Sequence, residues 1–374
     1  MVQIFPTASF HAAARACLCA VVTTLGSLQP VMAAQEPAAL PWSAPATTRV
    51  VAEDRRFTNG DTELSGTLYL PRDQAKPVAA VVVTHSASSP LRTSSLYDHL
   101  EVILPAMGMA VFVYDRRGSG RSGEHDAAGD FTLLADDATV AVRSLKTDPR
   151  IDPRRIGIWG LSQGGWIAPL AASRSREIAF VVSVSAPVVT ADVQMMFSST
   201  NHLRANGYSQ ADIDQMVATR KAVDDYMRGT ASREAAQARV DAAKTKPWFK
   251  YLYMGETIRD RAVSGWRKEI ENDPLENLGA VKVPTLVLYG ANDAVVPVAR
   301  SVERLGTIAS RIPEMQVHVI ASADHTMQMS ADLKTSLDPR HDGTERPDSP
   351  EYFALLSSWL GAHGYTGNPG RDGD

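Results

Sequence analysis

A serine between closely spaced glycines is the first feature of the sequence that could carry chemistry. Residues 160–164 read Gly-Leu-Ser-Gln-Gly, with an apolar run at 156–159 before them and a helical pattern at 166–173 after them. A sharp turn from strand to helix needs small neighbours, and it pushes the serine hydroxyl out at the edge of a sheet. The start of the helix favours negative charge that develops there. This context predicts that Ser162 is a nucleophile rather than an ordinary turn residue.

A reactive serine needs a base, and the base needs an acid that orients it. With a nucleophile of this kind, the partners follow in the order serine, acid, histidine. Asp293 comes directly after the apolar run 285–289, and His325 comes directly after the run 315–320. Both are therefore expected at the carboxyl ends of strands, and the order predicts a triad of Ser162, Asp293 and His325.

The triad has rivals within the same sequence. Asn292 is the alternative to Asp293, which could instead cap a turn. The alternatives to His325 lie within a strand, in the tail loop and in the last helix, and they are His318, His341 and His363.

An oxyanion formed at the serine also needs hydrogen-bond donors. The backbone N–H of Gln163 is one by its position, whereas its side chain is expected to form a wall of the site. The second donor should come from the loop after the run 78–84, from Ala87 or from Ser86.

The order of elements predicts the fold class. Eight apolar runs read as strands, and the later ones are continuous, as in strands that are covered on both faces. Helical stretches such as 131–145 separate them, which favours a doubly wound, mostly parallel α/β sheet. The runs lie at 49–51, 63–70, 78–84, 109–114, 156–159, 179–184, 285–289 and 315–320.

One segment interrupts this alternation, since residues 191–279 contain helical patterns and no convincing strand. We expect a helical cap there, between core segments 34–190 and 280–374. The candidate substrate-binding residues in and around the cap are Ser86, Trp166, Met196, Phe197, Trp248 and Tyr251. The alternative is that most of the large apolar groups only pack the cap onto the core, with Trp166 beneath the turn at the serine.

Composition excludes several classes of protein. The chain has 374 residues, 44% of them hydrophobic, with 38 basic and 42 acidic residues and a net charge of −4. It has no basic block, so nucleic acid is not an expected partner.

Residues 1–33 read as a secretory signal peptide cut near Ala33, and a membrane anchor is the alternative. We therefore expect a periplasmic or secreted bacterial protein without a stable membrane insertion.

Cofactor sites are not expected. Both cysteines, Cys17 and Cys19, lie in the signal segment, so the mature chain would lack disulfides and thiolate metal ligands. The spacing of Gly118, Gly120 and Gly123 fits G-x-G-x-x-G, but the next helical pattern starts only near residue 131. This loop is expected to lie beside the active site, pinned by Asp115 and Arg117. His85 and His99 are interpreted as structural or pocket-lining.

Four stretches resemble bacterial serine carboxylesterases of the α/β-hydrolase superfamily, in the branch with a helical insert after the sixth strand. They read LPAMGMAVFVYDRRGSGRSG, DPRIDPRRIGIWGLSQGGWIAPLAAS, PTLVLYGANDAVVP and ADHTMQ. The resemblance implies an α/β-hydrolase fold, with Ser162 as nucleophile, Asp293 as acid and His325 as base. The chain departs from this branch in the loop HSASSP, which has no glycine, and at Leu161 and Gln163, where His and Glu are more usual.

The expected function is hydrolysis of a small-molecule ester with an apolar moiety, through an acyl-enzyme on Ser162. A serine aminopeptidase or prolyl peptidase, a thioesterase and a lactonase are alternatives on the same residues. A binding protein on an inactive hydrolase scaffold is the alternative from another class. The natural substrate and the oligomeric state are left open.

Overall fold

The computed structural model describes residues 50–123, 130–338 and 346–367. The predicted signal peptide, residues 1–33, and the alternative base His341 lie outside the described residues.

Eight strands form a single sheet. Their spatial order is β1-β2-β4-β3-β5-β6-β7-β8. The pairs β1/β2 and β2/β4 are antiparallel, and all the others are parallel. The eight-stranded, mostly parallel sheet is therefore confirmed. The strands are β1 (Val50–Asn59), β2 (Thr62–Pro71), β3 (Val78–Thr84), β4 (Ala110–Tyr114), β5 (Ile151–Leu161), β6 (Val181–Val184), β7 (Thr285–Gly290) and β8 (Met315–Ile320).

The described residues also form eleven α-helices and three short 3-10 helices. The α-helices are α1 (Asp98–Ala106), α2 (Phe131–Leu145), α3 (Gly164–Arg174), α4 (Ala191–Ala205), α5 (Gln210–Arg228), α6 (Arg233–Ala243), α7 (Gly265–Glu271), α8 (Pro274–Gly279), α9 (Val298–Gly306), α10 (Leu333–Ser336) and α11 (Pro350–Ala362). The 3-10 helices are Ser95–Tyr97, Phe249–Leu252 and Ala309–Arg311.

The central strands are buried on both faces, which explains their continuous apolar sequences. In β5, Ile158 belongs to the core cluster that includes Phe131 of α2. The next residue, Trp159, points to the opposite face, where its indole N–H donates to the Tyr352 hydroxyl of α11 at 3.2 Å. Successive strand residues alternate between faces, so helices are required on both sides of the sheet.

Parallel neighbours β5, β6, β7 and β8 all end at the same edge of the sheet. Ser162 directly follows β5, Asp293 lies three residues after β7, and His325 lies five residues after β8. The sheet therefore brings residues that are far apart in the chain to one edge.

Between β6 and β7 the chain forms helices α4 to α8 and the 3-10 helix Phe249–Leu252. Two side-chain amides of α4 attach this segment to the loop after β7. Gln194 Nε2 donates to the carbonyl of Val295, and Asn201 Nδ2 donates to that of Ala294, each at 3.0 Å. Throughout the described ranges, no helix has both the length and the apolar character that crossing a membrane requires.

Candidate active site

Ser162 occupies a strained turn between β5 and α3. Its φ is 56°, in the left-handed region that L-residues rarely adopt, and its N–H donates to the carbonyl of Val184 at 2.8 Å. Glycine is required on both sides of it. A Cβ at Gly160 would lie within 3.0 Å of the Gly164 backbone, and a Cβ at Gly164 would lie equally close to the Thr84 backbone. The turn therefore holds the serine at the sheet edge at the cost of local strain.

Asp293 and His325 form a hydrogen-bonded pair. His325 Nδ1 lies 2.8 Å from Asp293 Oδ2. The other oxygen, Oδ1, accepts the backbone N–H groups of Val295 and Val296, both at 2.8 Å. The carboxylate is fully buried, while 15% of the imidazole is exposed. The acid is thus fixed by its own loop, and it orients the imidazole as a general base requires.

The electrostatic surroundings favour the protonated form of His325. Burial alone would lower the pKa of the imidazole. The charge of Asp293, the hydrogen bond to it and the charge of Asp324 raise the pKa, and together they place it above the ordinary value of 6.5. The surrounding carboxylates therefore stabilise the imidazolium that a base forms when it takes a proton.

The predicted alternatives to these two residues have other contacts. Asn292 Nδ2 donates to the carbonyl of Ser330 at 2.6 Å. His318 lies within β8 and is 3.4 Å from Gln316, and His363 pairs with Glu314 at 3.1 Å. Neither histidine contacts Asp293.

In the described part of the chain, no hydrogen bond joins the Ser162 hydroxyl to His325. The strand ends bring the two residues to one edge, and the Nε2 atom of His325 has no other partner among the described residues. The contact between nucleophile and base commonly tightens only when substrate is bound.

Two backbone N–H groups beside the serine are free. Neither the N–H of Gln163 nor that of Ala87 donates a hydrogen bond to any described residue. The N–H of Ser86, by contrast, donates to the Tyr97 hydroxyl at 3.0 Å. This contact engages the N–H of Ser86 and leaves that of Ala87 unengaged, which favours Ala87 as the second oxyanion donor.

The candidate substrate-binding residues divide into two groups. Trp166 and Trp248 are buried to 6% and 1% exposure, and the Trp166 indole donates to the carbonyl of Pro187. Both indoles therefore pack inside the protein, and their contact with substrate stays a prediction. Ser86 is also buried, with its hydroxyl 3.4 Å from that of Ser88.

Met196 and Phe197 line a cavity of about 630 Å³ between α4, α5 and the start of α9. None of Ser162, Asp293 and His325 lines this cavity. Tyr251 is partly buried, and its ring stacks on His202 of α4 with the centroids 5.5 Å apart. Met196 and Phe197 lie on α4, and Tyr251 lies on the 3-10 helix Phe249–Leu252.

The glycine-rich loop after β4 is held by protein contacts. Asp115 accepts the backbone N–H groups of Arg92 and Arg121, at 3.0 and 2.9 Å. Arg117 makes a buried ion pair with Asp137 at 2.6 Å. These contacts agree with the expectation that the loop is pinned.

His85 is buried and His99 is partly buried, and both rings pack against tyrosines. The side chain of His85 contacts the carbonyl of Tyr114, and burial lowers the pKa of this imidazole to about 3. Burial lowers the pKa of His99 to about 4, and its Nε2 lies 3.0 Å from the Tyr352 hydroxyl. Both rings are therefore neutral at physiological pH. Within the described ranges, no group of three or more His, Cys, Asp or Glu residues could hold a metal ion.

Arg116 and Glu269 were not among the residues predicted from the sequence. Arg116 donates to the Gln163 side chain at 2.9 Å and to the carbonyl of Ala87 at 3.3 Å. In the sequence, the position of Arg116 inside the glycine-rich loop is the feature that could have indicated this residue. The side chain of Glu269 in α7 makes no hydrogen bond or ion pair with any described residue. Burial raises its pKa to about 7, although the charges of Arg220 and Arg116 oppose this shift.

The sequence of the chain is similar to those of several known hydrolases. Residues 75–332 match the family model described as serine aminopeptidase, S33. The chain is 35% identical over 127 residues to a thiohydrolase of Arthrinium phaeospermum, which covers 33% of this chain and 40% of that protein. It is 26% identical over 198 residues to an α/β-hydrolase superfamily protein of Bacillus subtilis, covering 52% of this chain and 68% of that protein.

Solved structures share the fold. An esterase of Pyrococcus furiosus superposes with a TM-score of 0.54 and 18% identity, over 84% of this chain and 91% of the esterase. An acylaminoacyl peptidase of Pyrococcus horikoshii gives a TM-score of 0.55 and 15% identity, over 87% of this chain and 44% of the peptidase. Likeness at this level of identity shows the fold and not the substrate. Because the family model covers more than half of the chain, this protein belongs to the serine aminopeptidase S33 family of the α/β-hydrolase superfamily.

Proposed function

We propose that this serine hydrolase cleaves carboxylic esters of small molecules through an acyl-enzyme on Ser162. The observation that carries the proposal is the fixed pair of Asp293 and His325 at the sheet edge that also holds the strained serine. The free N–H groups of Gln163 and Ala87 supply donors for an oxyanion.

The reaction proceeds in two steps on these residues. His325 takes the proton of the Ser162 hydroxyl, which attacks the ester carbonyl, and the N–H groups of Gln163 and Ala87 hold the tetrahedral oxyanion. The protonated imidazole then donates its proton to the leaving alcohol. Water enters, is deprotonated by the same imidazole and releases the acid product from the serine.

The contacts of five acids between β6 and β7 support an ester over a peptide with a free amino terminus, although the side chain of Glu269 in the same segment has no partner among the described residues. An aminopeptidase needs a carboxylate that is available to bind the amine. Asp224 accepts from the Trp266 indole at 2.8 Å, and Asp225 pairs with Lys221 at 2.6 Å. Asp212 caps its own helix, Asp214 accepts from Gln210 and Glu256 is exposed to solvent. Four of these five carboxylates are engaged by other residues, and that of Glu256 is exposed to solvent.

A substrate panel tests the proposal. The purified protein would be assayed on nitrophenyl esters of several acyl lengths, on thioesters, on lactones and on aminoacyl amides, with the Ser162→Ala variant as control. We expect ester turnover to exceed amide turnover and to fall by several orders of magnitude in the variant. A higher specificity constant for aminoacyl amides would instead identify a peptidase.

Labelling with a fluorophosphonate tests the nucleophile separately. We expect one adduct, located at Ser162 by peptide mass spectrometry and missing from the Ser162→Ala variant. A folded wild-type protein that forms no adduct would support the reading as a binding protein on an inactive scaffold.

We also propose that the protein is exported after cleavage near Ala33. The support is the sequence of residues 1–33, with one early arginine, an apolar centre and small residues at its end. Amino-terminal sequencing of the full chain expressed in a bacterium, after separation of periplasm and cytoplasm, tests this. An uncleaved chain in the cytoplasm would contradict it.

A further inference from the structure

We propose that Arg116 is a positioning residue that fixes both halves of the oxyanion hole. This inference rests on the proposed function and names a residue that none of the predictions from the sequence included. The side chain of Arg116 contacts the two residues whose backbone N–H groups are free beside Ser162. It touches neither the serine nor the base.

The contacts connect two separate loops. Arg116 Nη1 donates to Gln163 Oε1 at 2.9 Å, and Nη2 donates to the carbonyl of Ala87 at 3.3 Å. Gln163 belongs to the turn after β5, whereas Ala87 belongs to the loop after β3. One guanidinium therefore bridges the two segments that must approach the same oxyanion.

The loop after β3 is held by contacts on both sides of Ala87, and the bridge from Arg116 is one of them. The Ser86 N–H is held by the Tyr97 hydroxyl, which also donates to the carbonyl of Ser89 at 2.7 Å. The Ala87 carbonyl is held by Arg116. The carbonyl of the peptide that carries the Ala87 N–H accepts the Ser89 N–H at 3.2 Å, so this turn and the two flanking contacts together fix the orientation of the peptide.

Arg116 is itself held in place. Its backbone N–H donates to the carbonyl of Pro90 at 2.8 Å, on the same loop as Ala87. The neighbouring Asp115 binds two further backbone N–H groups of these loops. Burial lowers the pKa of the guanidinium while Tyr97, Tyr114 and Glu269 oppose the shift, and arginine stays charged throughout the physiological range.

Arginine suits this role better than lysine. The planar guanidinium presents parallel donors that can reach two acceptors at once, whereas an ammonium is a point charge on a flexible stem. A lysine at this position would keep the positive charge and lose one of the two contacts. Substitution of Arg116 by lysine and by methionine therefore separates the effect of the positive charge from that of the two contacts.

The test measures kcat and KM for nitrophenyl ester hydrolysis, together with the rate of fluorophosphonate labelling. We expect Arg116→Met to lower kcat and the labelling rate about tenfold to 100-fold, because small misplacements of catalytic groups cost that much. KM should stay within about twofold, since the oxyanion forms only after binding. Arg116→Lys should give rates between those of Met and wild type.

The control is Arg121→Met, on the same loop. The Arg121 side chain is 69% exposed and, among the described residues, pairs with Asp54 at 3.3 Å. It should leave kcat and KM unchanged, and melting temperatures would be compared for all variants. A double-mutant cycle of Arg116→Met with Gln163→Met should show that the losses are not additive, because both variants remove the same contact.

The outcomes separate this inference from the proposed function. If the wild type is labelled at Ser162 while Arg116→Met matches it in kcat and labelling rate, the inference is wrong and the proposed function stands. Full restoration by Arg116→Lys would also contradict it, since charge alone would then suffice. If esters are not turned over, the labelling rates of wild type and variants still report on the oxyanion hole. A wild-type protein that is not labelled at all overturns both proposals.

Discussion

The carboxylate of Asp293 offers its two oxygens to different partners, and only one of them is His325. Oδ2 binds Nδ1 of the imidazole at 2.8 Å, while Oδ1 accepts two backbone N–H groups of its own loop. The carboxylate cannot rotate without losing the loop contacts. The orientation of the imidazole is therefore set by the backbone of the loop after β7.

Because the two carboxylate oxygens have different partners, the effect of Asp293→Asn can be predicted. The amide oxygen would keep the loop contacts, and the amide NH₂ would then face Nδ1 and force it to accept. The proton would move to Nε2, where it blocks proton transfer from Ser162. We expect kcat on esters to fall on the order of 10⁴-fold, with the fold retained. The exposed Asp241→Asn in α6 is the matched control, and an equal loss in that variant would contradict the assignment.

The pH dependence follows from the raised pKa of His325. The base must be neutral to accept a proton, so kcat/KM should rise with pH and reach its midpoint above 6.5. Asp324→Asn removes one of the charges that raise this pKa, so the midpoint should move to lower pH. Asp324 Oδ1 accepts the N–H groups of Thr326 and Gln328, and an amide oxygen can keep both contacts. A midpoint unchanged in Asp324→Asn would argue against this electrostatic coupling.

The glycines of the turn predict a stability effect. A methyl group at Gly160 would meet the Gly164 backbone, which cannot move aside as a flexible side chain would. We expect Gly160→Ala to lower the free energy of unfolding by about 1–3 kcal/mol or more. Gly306→Ala is the control, because a Cβ there meets nothing within 4 Å and alanine is the better helix former. Denaturant unfolding of both variants measures the difference, and equal stability would refute the steric argument.

The raised pKa of Glu269 predicts that the stability of the folded protein decreases as the pH rises. Its pKa is raised from 4.5 to about 7 in the folded protein, so the folded state binds more protons than the unfolded state between these values. The contribution of Glu269 to the free energy of unfolding is complete below about pH 4.5 and is lost as the pH rises to about 7. Glu269→Gln stays neutral, so its melting temperature should exceed that of the wild type increasingly as the pH rises through this range.

Thermal unfolding at a series of pH values checks this prediction. Glu276→Gln, an exposed position in α8, is the control and should follow the wild type. A Glu269→Gln curve parallel to that of the wild type would contradict the prediction.

Much of the fold could be predicted because the strands are locally encoded. The run 78–84 matches β3, which is buried and apolar along its length, whereas 315–320 matches β8, an edge strand in which only Ile320 is buried. The first strand was harder to delimit. Residues 49–51 were predicted with unspecified flanks, whereas β1 extends from Val50 to Asn59 with alternating exposure that includes charged residues.

The site was predicted unevenly for a related reason. Asp293 and His325 could be proposed because each follows an apolar strand, and strand ends meet at one edge. The burial of Trp166 and Trp248 could not be predicted, because the size of an aromatic residue does not show whether its face is turned to the core or to a pocket. Their burial is a property of packing between elements.

The sequence by itself determined the strand-turn-helix around Ser162 and the order of the three triad residues, because both depend on residue types at short range. Only the tertiary structure decided that Ala87 and not Ser86 keeps a free N–H, since the Tyr97 hydroxyl that engages Ser86 comes from a neighbouring segment. It also decided that Arg116 joins two loops of the site. Contacts between side chains on different loops depend on strand order, and no local pattern records that order.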